Sequence, residues 1–387
     1  MRFKSFFQAG FECSTGYNRH GHWIDQVSAT KHDLMAEQDY ARLTEVGIYT
    51  VREGVRWPLV DRRGRYDFST LEPFLHAAQK HGIEIIYDLF HFGYPEDIDL
   101  FSGDFPKRFA DYCYAAAEFI TAQTSSVSYY TPINEPSYFS WIAGEVGLFA
   151  PYQFERGYEL KKRLIEAAIG GINAIHATSP EARIINADPL CYVTAPNENY
   201  ERQNDIDHFN SQVVFQSWDM LSGKLLPELG GSLKHLDIVG INYYWTNQWE
   251  WGQVGSPLER PDPRRCSLSE LIRTVWKRYH TELIISETSE LDHRRAAWVR
   301  ELAQEAADVL NDGIPLRGIC LYPILGMPEW HAPREWIQMG LWELDTNSDS
   351  LERLPYRPMM EALLSAQQWE KQRSSLFLQR VKVQHST

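Results

Sequence analysis

Short apolar runs separated by longer segments of helical period recur along this chain, and that alternation restricts the fold more than any other feature. Apolar runs of four to eight residues bounded by turn signals read as buried strands, and the 3.6-period segments between them read as crossover helices. The strands fall at Phe6–Phe11, Ile48–Val55, Ile83–Phe90, a run opening at Val127, Ala182–Ala187, Asp237–Tyr244, Leu283–Ser286 and Gly318–Leu321. Helices are predicted over His32–Val46, Ser69–His81 with Ser69 as N-cap, Pro106–Thr124, Glu159–His176, His208–Leu221, Leu268–Tyr279 and Arg294–Asn311. Glycines at 47 and 82 stop the first two. Eight strand-helix units in one chain predict an α/β fold, a single (β/α)8 TIM barrel. We expect it to span residues 1–369, followed by a frayed, polar and basic tail at 370–387. No short repeat or Pro/Gly/Ser linker divides the chain.

In such a barrel the chemistry sits at the C-terminal ends of the strands. The polar residues expected there are Glu12, Arg52, His91, Asn134, Glu135, Asn242, Tyr244, Glu287, Tyr322, Glu329 and Trp330. The stretch Thr131-Pro132-Ile133-Asn134-Glu135-Pro136 places an amide and a carboxylate beside a proline that ends ladder pairing. Taken alone, it is an ordinary strand exit. Glu287 changes the reading, because it follows Leu283-Ile284-Ile285-Ser286 at the end of a strand across the barrel. Two carboxylates on facing strand ends are the equipment for splitting a glycosidic bond: one protonates the leaving oxygen and the other attacks the anomeric carbon.

Several segments then resemble glycoside hydrolase family 1, the β-glucosidase family of clan A barrels. Thr131 to Pro136 is similar to its Thr-x-Asn-Glu-Pro motif, and Asp237 to Tyr244 to its Asp-Phe-Ile-Gly-Ile-Asn-Tyr-Tyr strand. Ile284-Ile285-Ser286-Glu287-Thr288 resembles its nucleophile strand, Ile-x-Glu-Asn-Gly. Tyr322 to Trp330 matches the spacing of Trp-Ser-Leu-x-Asp-Asn-Phe-Glu-Trp, with the final Glu-Trp pair kept, and Phe90 to Pro95 resembles Tyr-His-Trp-Asp-Leu-Pro. The motifs occur in family order over nearly the whole chain.

The resemblance implies a divergent retaining β-glycosidase. Glu135 is then the acid/base and Glu287 the nucleophile, with Arg52 and Tyr244 holding Glu287 and Asn134 touching the sugar 2-hydroxyl. Glu12, His91, Asn242, Tyr322, Glu329 and Trp330 are expected to bind substrate. The chain departs from the family pattern at four places: Glu12 stands nearest the glycone-binding glutamine, Tyr322 replaces a tryptophan, the motif after His91 lacks its tryptophan, and Thr288-Ser289 replaces Asn-Gly. The same two glutamates also serve a transglycosidase or a sugar-rearranging enzyme, and a sugar-binding barrel without activity is the alternative of a different class.

Composition sets the outer bounds. A formal net charge of −14 excludes phosphate-backbone binding as the main role, so the expected partner is a small glycoside or oligosaccharide rather than nucleic acid. The aromatic share of 13% suits sugar-stacking sites as well as cores. Five scattered cysteines without Cys-x-x-Cys spacing predict neither disulfides nor zinc, and neither metal nor cofactor is expected. No signal peptide or membrane-length apolar run is read, which predicts a cytoplasmic protein. The loop from Trp245 to Arg265, with Trp249 and Trp251, is read as an aglycone platform or else as a hydrophobic lid or oligomer contact.

Overall fold

The computed structural model describes residues 3–124, 126–197 and 200–384. Its centre is a closed barrel of eight parallel strands: β1 Phe7–Gly10, β2 Thr50–Gly54, β3 Glu84–Asp88, β4 Tyr129–Thr131, β5 Arg183–Pro189, β6 Ile238–Asn242, β7 Glu282–Thr288 and β8 Leu316–Leu321. They pair in chain order, and β1 closes against β8 through Phe7 opposite Ile319 and Ala9 opposite Leu321. A TIM barrel is therefore what the eight predicted runs build. Each run lies at the expected place in the chain.

Strand alternation divides these residues into two shells. Ile86, Tyr129, Ile185, Ile238 and Ile284 point inward and pack with Phe3 as a small inner cluster. Their neighbours, among them Val51, Tyr87, Tyr130, Val239 and Leu283, join the larger core. Around that second shell run α1 His32–Glu45, α2 Glu72–His81, α3 Phe105–Gln123, α4 Gly157–Thr178, α5 Gln216–Leu221, α6 Leu268–Tyr279, α7 Arg295–Asn311 and α8 Arg357–Gln384. Helix α2 ends on Gly82, whose left-handed φ of 65° lets its N–H reach back to the Ala78 carbonyl.

Four expectations need correction. Ser69 is not an N-cap: it starts a 3-10 turn, Ser69–Leu71, and its own N–H is taken by the Asp67 carboxylate. The helix expected over His208–Leu221 is two pieces, Gln203–Ser211 and α5, joined by a 3-10 turn at Val213–Phe215. The β-branched pair Val213-Val214 is poor in helix, and the turn lets consecutive residues Val214 and Phe215 both bury. Glu287 lies within its strand, not beyond it. The chain from 370 onward is not frayed, because α8 runs unbroken to Gln384 through a stretch free of Gly and Pro. Residues 385–387 lie outside the described residues.

One irregularity in β7 positions the site. Ile241 pairs with Ile285, but the next residue of β6, Asn242, pairs with Glu287, and the β8 ladder likewise slips between Ile285 and Thr288. Ser286 is thus the extra residue of a β-bulge. Strict alternation from the inward Ile284 would send Ser286 inward and Glu287 outward to the helices. The bulge turns both inward instead: Ser286 Oγ donates to Asn242 Oδ1 at 2.6 Å, while Thr288 takes the outward position and accepts from Trp298 Nε1 of α7.

Candidate active site

At the C-terminal mouth of the barrel the inward side chains form one continuous hydrogen-bonded network. Arg52 of β2, 1% exposed, is its hub: Nη1 donates to Glu287 Oε1 at 2.5 Å, and Nη2 donates to Asp88 Oδ2 at 2.6 Å and Asn134 Oδ1 at 2.7 Å. The fixed guanidinium fork matches three acceptors, two on strands β3 and β7 and one in the segment that follows β4. Tyr244 donates its hydroxyl to Glu287 Oε2 at 2.8 Å, so a cation and a phenol hold the two oxygens of one carboxylate. Burial, followed by the nearby Glu287 charge, raises the Tyr244 phenol far above its ordinary range and keeps it a neutral donor.

Glu135 sits in a different environment. Among the described residues its one side-chain donor is a neutral amide, Asn242 Nδ2, at 2.8 Å from Oε1, and the same amide is 3.2 Å from Asn134 Oδ1. Burial and then the charge of Glu287 push the Glu135 carboxyl well above the usual range. The backbone at Glu135 is left-handed, with φ 49°, and its N–H donates to Ala187 O of β5 at 2.9 Å. Pro136 follows at the start of a short helix, Pro136–Phe139.

The expected substrate-binding residues surround this pair. His91 Nε2 is 3.2 Å from Asn134 Nδ2, and Nδ1 is 2.9 Å from Asp88 Oδ2; burial alone would lower the imidazole, but its neighbours Cys13 and Asp88 outweigh it and raise it well above the ordinary range. Glu12 Oε1 accepts from Ser14 N at 2.8 Å and lies 4.0 Å from His91 Nε2; burial raises its carboxyl. The Tyr322 ring lies parallel to His91 with centroids 5.8 Å apart, and it packs against β1 where Gly10 leaves room: a Cβ there would sit 2.0 Å from Tyr322 Cδ2. Trp330 packs edge-on to Phe92 at 5.5 Å and has a buried indole N–H without an acceptor among the described residues. Glu329 is partly committed, since its Oε2 accepts from the backbone of His331 and Ala332.

The Trp245–Arg265 loop divides. Trp245 lies beside the site, its ring 6.3 Å from Tyr244, whereas Trp249 and Trp251 pack on Phe209 at 5.9 and 6.2 Å. The loop is also less free than the reading allowed, because Gln248–Glu250 pairs with Tyr192–Thr194 as a small parallel ladder.

Sequence reasoning missed Asp88, Cys13 and Ser286. Asp88 was detectable as an inward residue at the end of β3, three places before His91. The ligand atoms of Cys13, Asp88 and His91 lie within 4.8 Å of one another, the spacing of a possible metal set. Their chemistry fits a hydrogen-bonded cluster better: burial pushes the Cys13 thiol up to about 11, and the Arg52 cation already occupies Asp88.

The model of glycosyl hydrolase family 1 matches residues 16–218, more than half of the chain. The chain belongs to glycosyl hydrolase family 1. No curated protein sequence matches it. Among solved structures, a Thermotoga maritima β-glucosidase in complex with methoxycarbonyl-substituted glucoimidazole aligns with this family 1 chain at a TM-score of 0.74 and 14% identity, over 94% of this chain and 98% of the other. The AHE enzyme of Alicyclobacillus herbarius aligns at a TM-score of 0.75 and 18% identity, over 95% and 99%. At these identities the structural likeness speaks for the fold, which these structures share with the barrel described above.

Proposed function

We propose that this family 1 protein is a retaining β-glycosidase acting by double displacement, with Glu287 as nucleophile and Glu135 as acid/base. The observation that carries the reading is the unequal treatment of two buried carboxyls. Arg52 and Tyr244 grip both oxygens of Glu287 and aim it, whereas Glu135 has a neutral amide for a partner and a carboxyl raised by burial and by the neighbouring Glu287. A carboxyl whose surroundings make it keep its proton is equipped to serve as the acid, and one held at both oxygens by a cation and a phenol is equipped to attack.

In the first step Glu287 attacks the anomeric carbon while Glu135 gives its proton to the departing oxygen. Once Glu287 is esterified, its charge is gone. Glu135 loses its chief neighbouring anion, becomes the stronger acid and, now ionised, takes a proton from the incoming water. Asn134, fixed by Arg52, is positioned for the sugar 2-hydroxyl. Glu12, His91 and the free N–H of Trp330 supply polar contacts to other hydroxyls, with Tyr322 beneath them. Trp245 is our candidate for contact with the aglycone.

No helix among the described residues is long and apolar enough to cross a membrane, and the five cysteines are free. The proposal therefore includes a reducing, cytoplasmic setting and a small glycoside or oligosaccharide as substrate.

Incubation with a 2-fluoro glycoside bearing a good leaving group, followed by mass analysis of peptides, tests the reading. A covalent adduct on Glu287, lost in Glu287→Ala, is expected. Sugar binding without turnover or adduct across a panel of nitrophenyl β-glycosides overturns it in favour of a sugar-binding barrel. Transfer to an added alcohol in preference to water would mark a transglycosidase.

A further inference from the structure

The residue after Ala187, whose carbonyl takes the Glu135 N–H, is Asp188, and it faces the helical layer instead of the barrel lumen. It is 1% exposed. Its Oδ1 accepts from Ser137 N at 2.9 Å and its Oδ2 from Ser137 Oγ at 2.5 Å. Ser137 is the second residue of the short helix that begins directly after Glu135, so Asp188 caps that helix from a neighbouring strand, where no side chain within the helix does so. Two consecutive residues of β5 thereby grip the chain on both sides of Glu135: Ala187 through the glutamate's own N–H, Asp188 through the residue two places on.

This grip answers a local difficulty. A left-handed backbone is costly for a glutamate and persists only when its surroundings over-determine it. The two β5 contacts supply that determination. Asp188 also carries charge toward Glu135. The groups around it are Ser137 from the helix after β4, Ser217 from α5 (its Oγ 2.8 Å from Ser137 Oγ), Lys161 from α4, and the Cys191 thiol just beyond β5. Lys161 is buried as well, and its Nζ donates to Gln216 Oε1 at 3.0 Å, so this cation facing Asp188 is partly committed elsewhere.

We propose that Asp188 is a positioning residue for the acid/base centre, holding the Glu135 turn through Ser137 and lending its negative charge to the retention of the Glu135 proton. The inference rests on the acid/base reading of Glu135 for its catalytic meaning, but not for its physical content. Burial raises the Asp188 carboxyl to about 6, so its charge appears over the neutral range.

Carboxyl carbon NMR of protein labelled at glutamate, with the Glu135 signal assigned by its loss in Glu135→Gln, tests this directly. In Asp188→Asn, which keeps the shape and removes the charge, the Glu135 midpoint is expected to fall by about half a pH unit or more, roughly a threefold change in proton affinity. The alkaline limb of kcat/KM on a nitrophenyl β-glycoside is expected to fall with it. In the unmodified protein the Glu135 signal should also sense a second titration near pH 6, a readout that needs no variant to fold. An unmoved Glu135 midpoint in Asp188→Asn, or a Glu135 signal blind to any event near pH 6, overturns the inference. A shifted midpoint with an unmoved alkaline limb leaves Asp188 in its role and sinks the acid/base assignment instead.

Discussion

The hydroxyl of Tyr244 reaches Glu287 Oε2 at 2.8 Å, on the oxygen that Arg52 leaves free. Removing that hydroxyl in Tyr244→Phe takes away one charge-assisted hydrogen bond, worth about 1.5–3 kcal/mol, while Arg52 still orients the carboxylate. The expected result is a loss in kcat/KM of roughly ten- to a hundredfold on a nitrophenyl β-glycoside, in a protein that still folds. A variant with full activity would show that the contact does not guide attack.

Arg52 presents the opposite case, in which stability suffers as well as rate. Arg52→Met leaves the buried carboxylates of Asp88 and Glu287 without their cation, and breaking a buried pair in this way costs about 3–5 kcal/mol. Urea unfolding reads that cost. A partial recovery is expected in Arg52→Met combined with Asp88→Asn, since the second change removes one of the stranded charges.

The charge of Glu287 has a measurable effect on its counterpart. Because a like charge raises the Glu135 carboxyl, Glu287→Gln should lower the pH at which Glu135 ionises, as followed by carboxyl carbon NMR. The same sign is expected in a protein trapped by a 2-fluoro glycoside, where the nucleophile is neutral. A rise in either species contradicts the proposed proton cycle.

A second buried network predicts how the fold responds to alkali. His32 of α1, fully buried and stacked on Phe11 at 3.5 Å, bonds Asp39 through Nδ1 at 2.8 Å and Glu53 through Nε2 at 2.9 Å, and Arg353 grips Asp39 from the far end of the chain. Burial alone would lower its pKa, but Glu53 and Asp39 outweigh it and raise the imidazole to about 9. The stabilisation is present in full below the unfolded value near 6.5 and disappears as pH rises through about 9. Unfolding by urea at pH 6 and pH 10 should differ by an amount on the order of 3 kcal/mol from this group, and the slope should vanish in His32→Gln.

The barrel was legible because period-two and period-3.6 patterns repeat eight times, and repetition overrides local ambiguity. Glu135 and Glu287 were legible because each stands at a strand end beside an apolar run. Other features leave no such mark. The bulge at Ser286 depends on what β6 and β8 do beside it, so nothing in Ile284-Ile285-Ser286-Glu287 distinguishes a bulged strand from a regular one. Asp88 passes for a simple strand terminus until Arg52 is placed opposite it. Helix pieces separated at Gln212 read as one helix because the apolar spacing survives the break, while the backbone does not. The tail looked polar enough to fray, but its residues are good helix formers and continue a helix already begun on core residues such as Met359 and Leu363.

The attachment of Glu135 to β5 bears on how such a site can be moved between scaffolds. A graft of Thr131–Glu145 into another barrel would carry the glutamate, its proline and its helix, yet leave behind the carbonyl and carboxylate that fasten them. The transferable unit is two adjacent strand ends, and inheritance of the site by recombination must keep β4 and β5 together.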